Sequence, residues 1–140
     1  MKVVLDTNIF ISALMSKNGA SNAILSYVGT NIMLYALSVP LVLEYESVAK
    51  RHIGGKINYT EAEIDEILTF ICLHGEFHKI YYLWRPMLRD PKDDMVLELA
   101  VNAGCEAIIT YNVKDFDQAS RFGIQIITPQ HYLAHLRNDQ

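Results

Sequence analysis

The chain has 140 residues, the size of one ordinary domain, and its 51% hydrophobic and 20% charged content is enough to build a sizeable core. No apolar run reaches the roughly 18 residues that span a bilayer, and the N-terminus lacks the length and cleavage site of a signal peptide. A net charge of −4 argues against a general nucleic-acid coat protein, which grips phosphate by being basic, but leaves room for an enzyme with a local acidic centre.

In chain order, Lys2 to Leu5 is a short apolar strand ended by Asp6, and Asn8 to Met15 is a helix apolar on every side, as in a buried element. Ser21 is placed to cap a second helix through about Val28, and Ile32 to Leu37 is a second strand. Ser38 and Pro40 open a helix through about His52, since proline fits the first turn. Gly54, Gly55 and Asn58 mark a loop, Thr60 with Glu63 forms a capping box, and Gly75 closes the helix that follows. Phe77 to Leu83 is a third strand. Asp90 caps the next helix, Pro91 occupies its first position and Gly104 ends it. Ala107 to Thr110 is a fourth strand, Asp115 to Phe122 a short helix stopped by Gly123, and Ile124 to Ile127 a fifth strand; Thr128 and Pro129 start the last helix. Cys72 and Cys105 lack metal or redox spacing and read as buried thiols in a reducing, cytoplasmic setting.

There is no repeat, low-complexity tract or linker, so residues 1–140 form one expected domain. Strands that are short continuous apolar runs, alternating with helices, predict a parallel sheet covered on both faces. Ligands of such sheets bind outside the carboxyl ends of the strands, where strand order reverses. Asp6 follows the first strand, and Asn112 and Asp115 follow the fourth. If those two strands are neighbours, the three residues face one another.

Two further acids point the same way. Glu44 belongs to the stripe of Leu41, Tyr45 and Val48 and aims inward, whereas Glu46 has Lys50 four residues on and reads as a surface acid. Asp90, Asp93 and Asp94 crowd the start of one helix. Asp90 serves as the cap and Asp93 stands where a side chain reaches back to it, which leaves Asp94 without a local task and free to project into the crevice. Converging carboxylates repel by about 4 kcal/mol per pair at ~4 Å and an effective dielectric of about 20. A bound hard cation, Mg²⁺ or Mn²⁺, offsets that repulsion and suits phosphate chemistry.

These stretches resemble the PIN-domain ribonucleases, including the toxin half of VapBC-type toxin–antitoxin pairs. The matching pieces are "VVLDTN" with Asp6, "PLVLEYE" with Glu44, "DPKDDMVLELAVNAG" with Asp94, and "AIITYNVKDF" after strand four. The resemblance implies a three-layer α/β/α fold with a five-stranded parallel sheet, and Mg²⁺- or Mn²⁺-dependent cleavage of RNA. It also implies a protein antitoxin that covers the site; a homodimer is expected as well. Asp6, Glu44 and Asp94 are the expected metal ligands, and hydrolysis in line is expected to leave 5′-phosphate and 3′-hydroxyl ends. Thr7, Asn8 and Thr110 are expected to support the site. The family often carries an aspartate two residues after the threonine of strand four. Here Thr110 is followed by Tyr111 and Asn112, so the fourth position falls to Asn112 or to Asp115.

Lys50, Arg51, Arg85, Arg89, Lys92 and Lys114 are candidate phosphate grips, and Tyr81, Tyr82 and Trp84 candidate stacking surfaces. His131 and His135 stand four apart but lack the glutamate of a zinc-protease motif. A haloacid-dehalogenase-type phosphatase would need an aspartate two residues after Asp6, where Asn8 stands, and a receiver domain would need one ending strand three, which runs into "YYLWRP". The remaining alternative is a non-catalytic module of the same fold that binds protein partners through a weakened metal site.

Overall fold

The computed structural model describes residues 1–80 and 90–140. Five strands, β1 (Lys2–Leu5), β2 (Leu34–Leu37), β3 (Glu76–Phe77), β4 (Ala107–Ile109) and β5 (Gln125–Ile127), form one sheet in the order β3-β2-β1-β4-β5. Every pairing is parallel. The central strands are buried on both faces, as their unbroken Val, Ile, Leu and Ala runs require. With the helices α1 (Thr7–Met15), α2 (Ala20–Leu25), α3 (Val39–Arg51), α4 (Glu61–His74), α5 (Pro91–Asn102) and α6 (Pro129–Asn138), the sheet makes a three-layer α/β/α sandwich.

The chain lays down β1, β2 and β3 towards one edge, then returns through α5 to place β4 on the other side of β1. The order therefore reverses between β1 and β4. Leu5 pairs with Ile109, and the Asp6 N–H extends the ladder to the Ile109 carbonyl at 2.9 Å. Asp6 and Thr110 thus leave the sheet side by side. Helices in such units run back against the strands, so the start of α5 lies at this same edge.

Local chemistry explains the helix starts. Ser38 accepts from the Leu41 N–H, Asp90 from the Lys92 N–H and Thr128 from the His131 N–H. Thr60 and Glu63 close a reciprocal capping box. Helix α4 ends at Gly75 for want of space, since its φ of −88° is ordinary. A Cβ there would stand 2.5 Å from Leu37 Cδ1 and 2.8 Å from the Tyr35 ring.

Three boundaries differ from the sequence expectation. Helix α2 starts at Ala20 behind Gly19, so Ser21 lies inside it and is buried; its hydroxyl meets the Tyr111 hydroxyl at 2.8 Å instead of capping. Strand β3 comprises Glu76 and Phe77; residues 78–80, expected to continue it, are not strand, and the expected stretch 81–83 lies outside the described residues. The helix expected over 115–122 is replaced by two 3-10 turns, Val113–Phe116 and Ala119–Phe122. Buried Phe116 and Ala119 stand three residues apart, the 3-10 period.

The core runs through both helical layers. Phe10 of α1 stacks on Tyr45 of α3 with ring centroids 5.1 Å apart. The Tyr45 hydroxyl donates to the Leu5 carbonyl at the end of β1. That bond ties α3 to the strand just below Asp6 and brings the neighbouring residue, Glu44, to the same edge. Cys72 is half-buried and Cys105 buried, and both are free thiols. No helix among the described residues is long and apolar enough to cross a membrane.

Candidate active site

Asp6 is the N-cap of α1 and is only 7% exposed. Its Oδ1 accepts from the Thr7 N–H at 2.8 Å and its Oδ2 from the Thr110 hydroxyl at 2.7 Å. The Thr110 oxygen in turn accepts from Asn8 Nδ2 at 3.3 Å and from the Asn112 N–H at 3.0 Å. Asn8 Oδ1 accepts from the Tyr111 N–H at 3.4 Å. The turns after β1 and β4 thus form one net around a single carboxylate. Burial pushes the Asp6 carboxyl above its ordinary range, the Thr110 and Thr7 donors pull it back, and the charges of Asp115 and Asp90 push it up again.

A cavity of about 260 Å³ opens over this carboxylate. Asp6, Thr7 and Asn8 line it from the β1 turn, Glu44 and Val48 from α3, Asp90, Lys92 and Asp93 from the start of α5, and Asn112 from the β4 turn. Three separate parts of the chain therefore bring carboxylates to one place. Lys92 Nζ lies 3.2 Å from Glu44 Oε1. Asp93 is half-buried, and its carboxyl is pushed up to about 7, first by burial and then by the charges of Asp6, Asp90, Asp115 and Asp94.

Of the two neighbouring acids in the first turn of α5, Asp93 lines the cavity. Asp94 is 2% exposed and does not line the cavity. Asp90 caps the helix through its own side chain, and Asp93, three residues on, shares its face, so both border the cavity. Asp94 lies about 100° further round, on the side of Leu97 and Glu98, which are buried at 1% and 2%.

Asp115 is exposed and lies with Tyr111, Asn112 and Lys114 around an adjoining cavity, so Asn112 borders both spaces. Asp115 still acts on Asp6 and Asp93 through its charge. Lys50 pairs with Glu46 at 2.9 Å and with Asp65 at 2.8 Å, which ties it to the α3–α4 contact. Arg85, Arg89, Tyr81, Tyr82 and Trp84 lie outside the described residues. His135 pairs with Asp139 at 3.2 Å.

Among the described residues, no three His, Cys, Asp or Glu side chains stand close enough to hold a metal ion as they are placed. The donor set nevertheless suits a hard divalent cation. Among the described residues it offers carboxylate oxygens and the amide oxygens of Asn8 and Asn112, with no sulfur or imidazole. A carboxyl pushed up to about 7 by burial, and then by neighbouring acids, also marks a place where positive charge is short.

A family model described as PIN domain matches residues 2–114. No curated protein matches the chain. Among solved structures, VapBC2 from Rickettsia felis, bound to a DNA fragment from their promoter, superimposes with a TM-score of 0.62. That match covers 91% of this chain and 98% of the other at 14% identity, so the fold is what the two share.

Proposed function

The chain belongs to the PIN-domain family, and on that premise we propose that it is a divalent-metal-dependent endoribonuclease, the toxin of a toxin–antitoxin pair. The observation that carries this reading is the meeting of Asp6, Glu44 and Asp93 at one cavity at the β1/β4 reversal, with the Asp93 carboxyl pushed up to about 7 by burial and then by its acidic neighbours. Mg²⁺ or Mn²⁺ is the cofactor proposed, with Asp6, Glu44 and Asp93 as ligands and Asn112 completing the set from the β4 turn. Bound there, such an ion supplies a Lewis acid for a phosphoryl oxygen and a more acidic water.

The chain's own residues prepare that chemistry. Thr110 and the Thr7 N–H fix both Asp6 oxygens, so this carboxylate is oriented before substrate arrives. Tyr45 holds the end of β1 while the adjacent Glu44 faces the cavity. Asp115 adds negative charge from the rim and helps to retain a cation without lining the cavity. Asp94, buried next to Asp93, is proposed as a further carboxylate of the set.

The test is cleavage of labelled RNA by purified protein in Mn²⁺ and in EDTA. Cleavage in Mn²⁺ alone, lowered at least about 100-fold by Asp6→Asn, is the expected result. If Asp6→Asn and wild type are equally inactive on every RNA, the fold serves instead as a protein-binding module with a weakened metal site. An antitoxin partner is tested separately, by rescue of growth on co-expression of the adjacent reading frame.

A further inference from the structure

Lys92 is the only cationic side chain lining the acidic cavity among the described residues. It stands at the second position of α5 and reaches across to α3, with Nζ 3.2 Å from Glu44 Oε1. The two partners are unequally exposed, 60% for the lysine side chain and 18% for the glutamate. Glu44 is fixed at the cavity wall, whereas Lys92 is a long flexible chain at the rim. The ammonium is therefore the partner that can leave, and a rim ion pair of this kind is weak.

A cation that takes Glu44 together with Asp6 and Asp93 must approach the carboxylate that Lys92 engages. Two like charges at that range repel, so they compete for it. Once displaced, the ammonium stays tethered to the first turn of α5, at the mouth of the same cavity. It is then a point charge with rotatable donors, suited to a phosphate oxygen.

We propose that Lys92 is a displaceable counter-ion: it competes with the divalent cation for Glu44, and when the cation wins, the released ammonium holds a phosphate of the substrate strand. This rests on the nuclease reading above, and the measurements separate the two. Mn²⁺ affinity is measured by calorimetry on the full chain for wild type, Lys92→Gln, Lys92→Arg, Lys114→Gln and Asp6→Asn, at low and high salt. Lys92→Gln should bind Mn²⁺ about fivefold more tightly, the fold-change expected of a lost rim pair. That gain should shrink at high salt but stay above that of Lys114→Gln, because charges in contact are screened less than distant ones. Lys92→Arg should keep the wild-type value. Any gain in Lys114→Gln should fade as salt screens it. In the presence of metal, Lys92→Gln should bind a single-stranded phosphorothioate RNA oligonucleotide more weakly than wild type does.

An unchanged or weaker Mn²⁺ affinity in Lys92→Gln, with Asp6→Asn losing the metal, overturns the counter-ion role and leaves the nuclease reading standing. A gain in Lys114→Gln that matches Lys92→Gln at high salt also overturns it. Tighter Mn²⁺ binding with undiminished oligonucleotide binding overturns the phosphate role. Absence of Mn²⁺ binding in the wild type overturns both the inference and the reading beneath it.

Discussion

Asp93 shows how one side chain can make the protein pH-sensitive. Its folded carboxyl titrates near 7, above the ordinary 3.8, because burial and four neighbouring aspartates oppose its charge. The folded state therefore keeps a proton that the unfolded chain has already released. Stability from this group is full below about 3.8 and is lost as pH rises through about 7. In EDTA, the melting temperature of Asp93→Asn should exceed that of wild type at pH 8, and the gap should close by pH 4. A gap that is constant with pH would show that Asp93 does not titrate in this window. Adding Mn²⁺ at pH 8 should stabilise wild type but not Asp93→Asn. Thr110 acts one step back, as the donor to Asp6 Oδ2. Thr110→Val should weaken Mn²⁺ binding by roughly 10- to 100-fold while Thr110→Ser preserves it, read by calorimetry.

At the scale of elements, caps and close approaches fix where each helix starts and stops. Gly75→Ala forces a methyl into Leu37 and Tyr35, and overpacking of this kind should cost about 1–3 kcal/mol in urea denaturation. Ser38→Ala removes the acceptor for the Leu41 N–H and should cost about 1 kcal/mol. The same physics decided what the sequence could reveal. Caps formed by Ser38, Thr60, Asp90 and Thr128 are local, within three residues of their partners, so they were readable directly. Gly19 as the α2 cap was not, because Ser21 carried the stronger local signal while its hydroxyl was claimed by Tyr111, 90 residues away. The facing of Asp93 and Asp94 has no local signature for a related reason. Both suit the first turn of a helix, and only the packing of α5 against β1, β2 and β4 selects which one meets Asp6. Asp6 and Glu44 were legible because each ends or joins an apolar pattern whose period fixes its direction. Lys92 was named only as one cation among several, since an ion pair across α5 and α3 has no signature in either segment.

For the molecule as a whole, charge is the property to measure. On the nuclease reading, a net charge of −4 leaves little general attraction for RNA, so affinity falls to a few local cations, Lys92 at the cavity among them. With about three phosphate contacts on a single strand, raising salt from about 50 to 200 mM should weaken oligonucleotide binding roughly tenfold to twentyfold. A loss of a thousandfold or more would require a basic surface beyond the described residues.

Sheet order has its own consequence for biosynthesis. Asp6 is made among the first residues and Thr110, which orients it, more than a hundred residues later. Because β4 slots in beside β1, a ribosome must release most of the polypeptide before the two turns can meet. A nascent chain arrested at residue 105 should therefore leave RNA intact, and cleavage by such a stalled product would show that the first strand's turn acts alone. On the nuclease reading, interleaving an early strand with a late one thus withholds activity until β4 has been made.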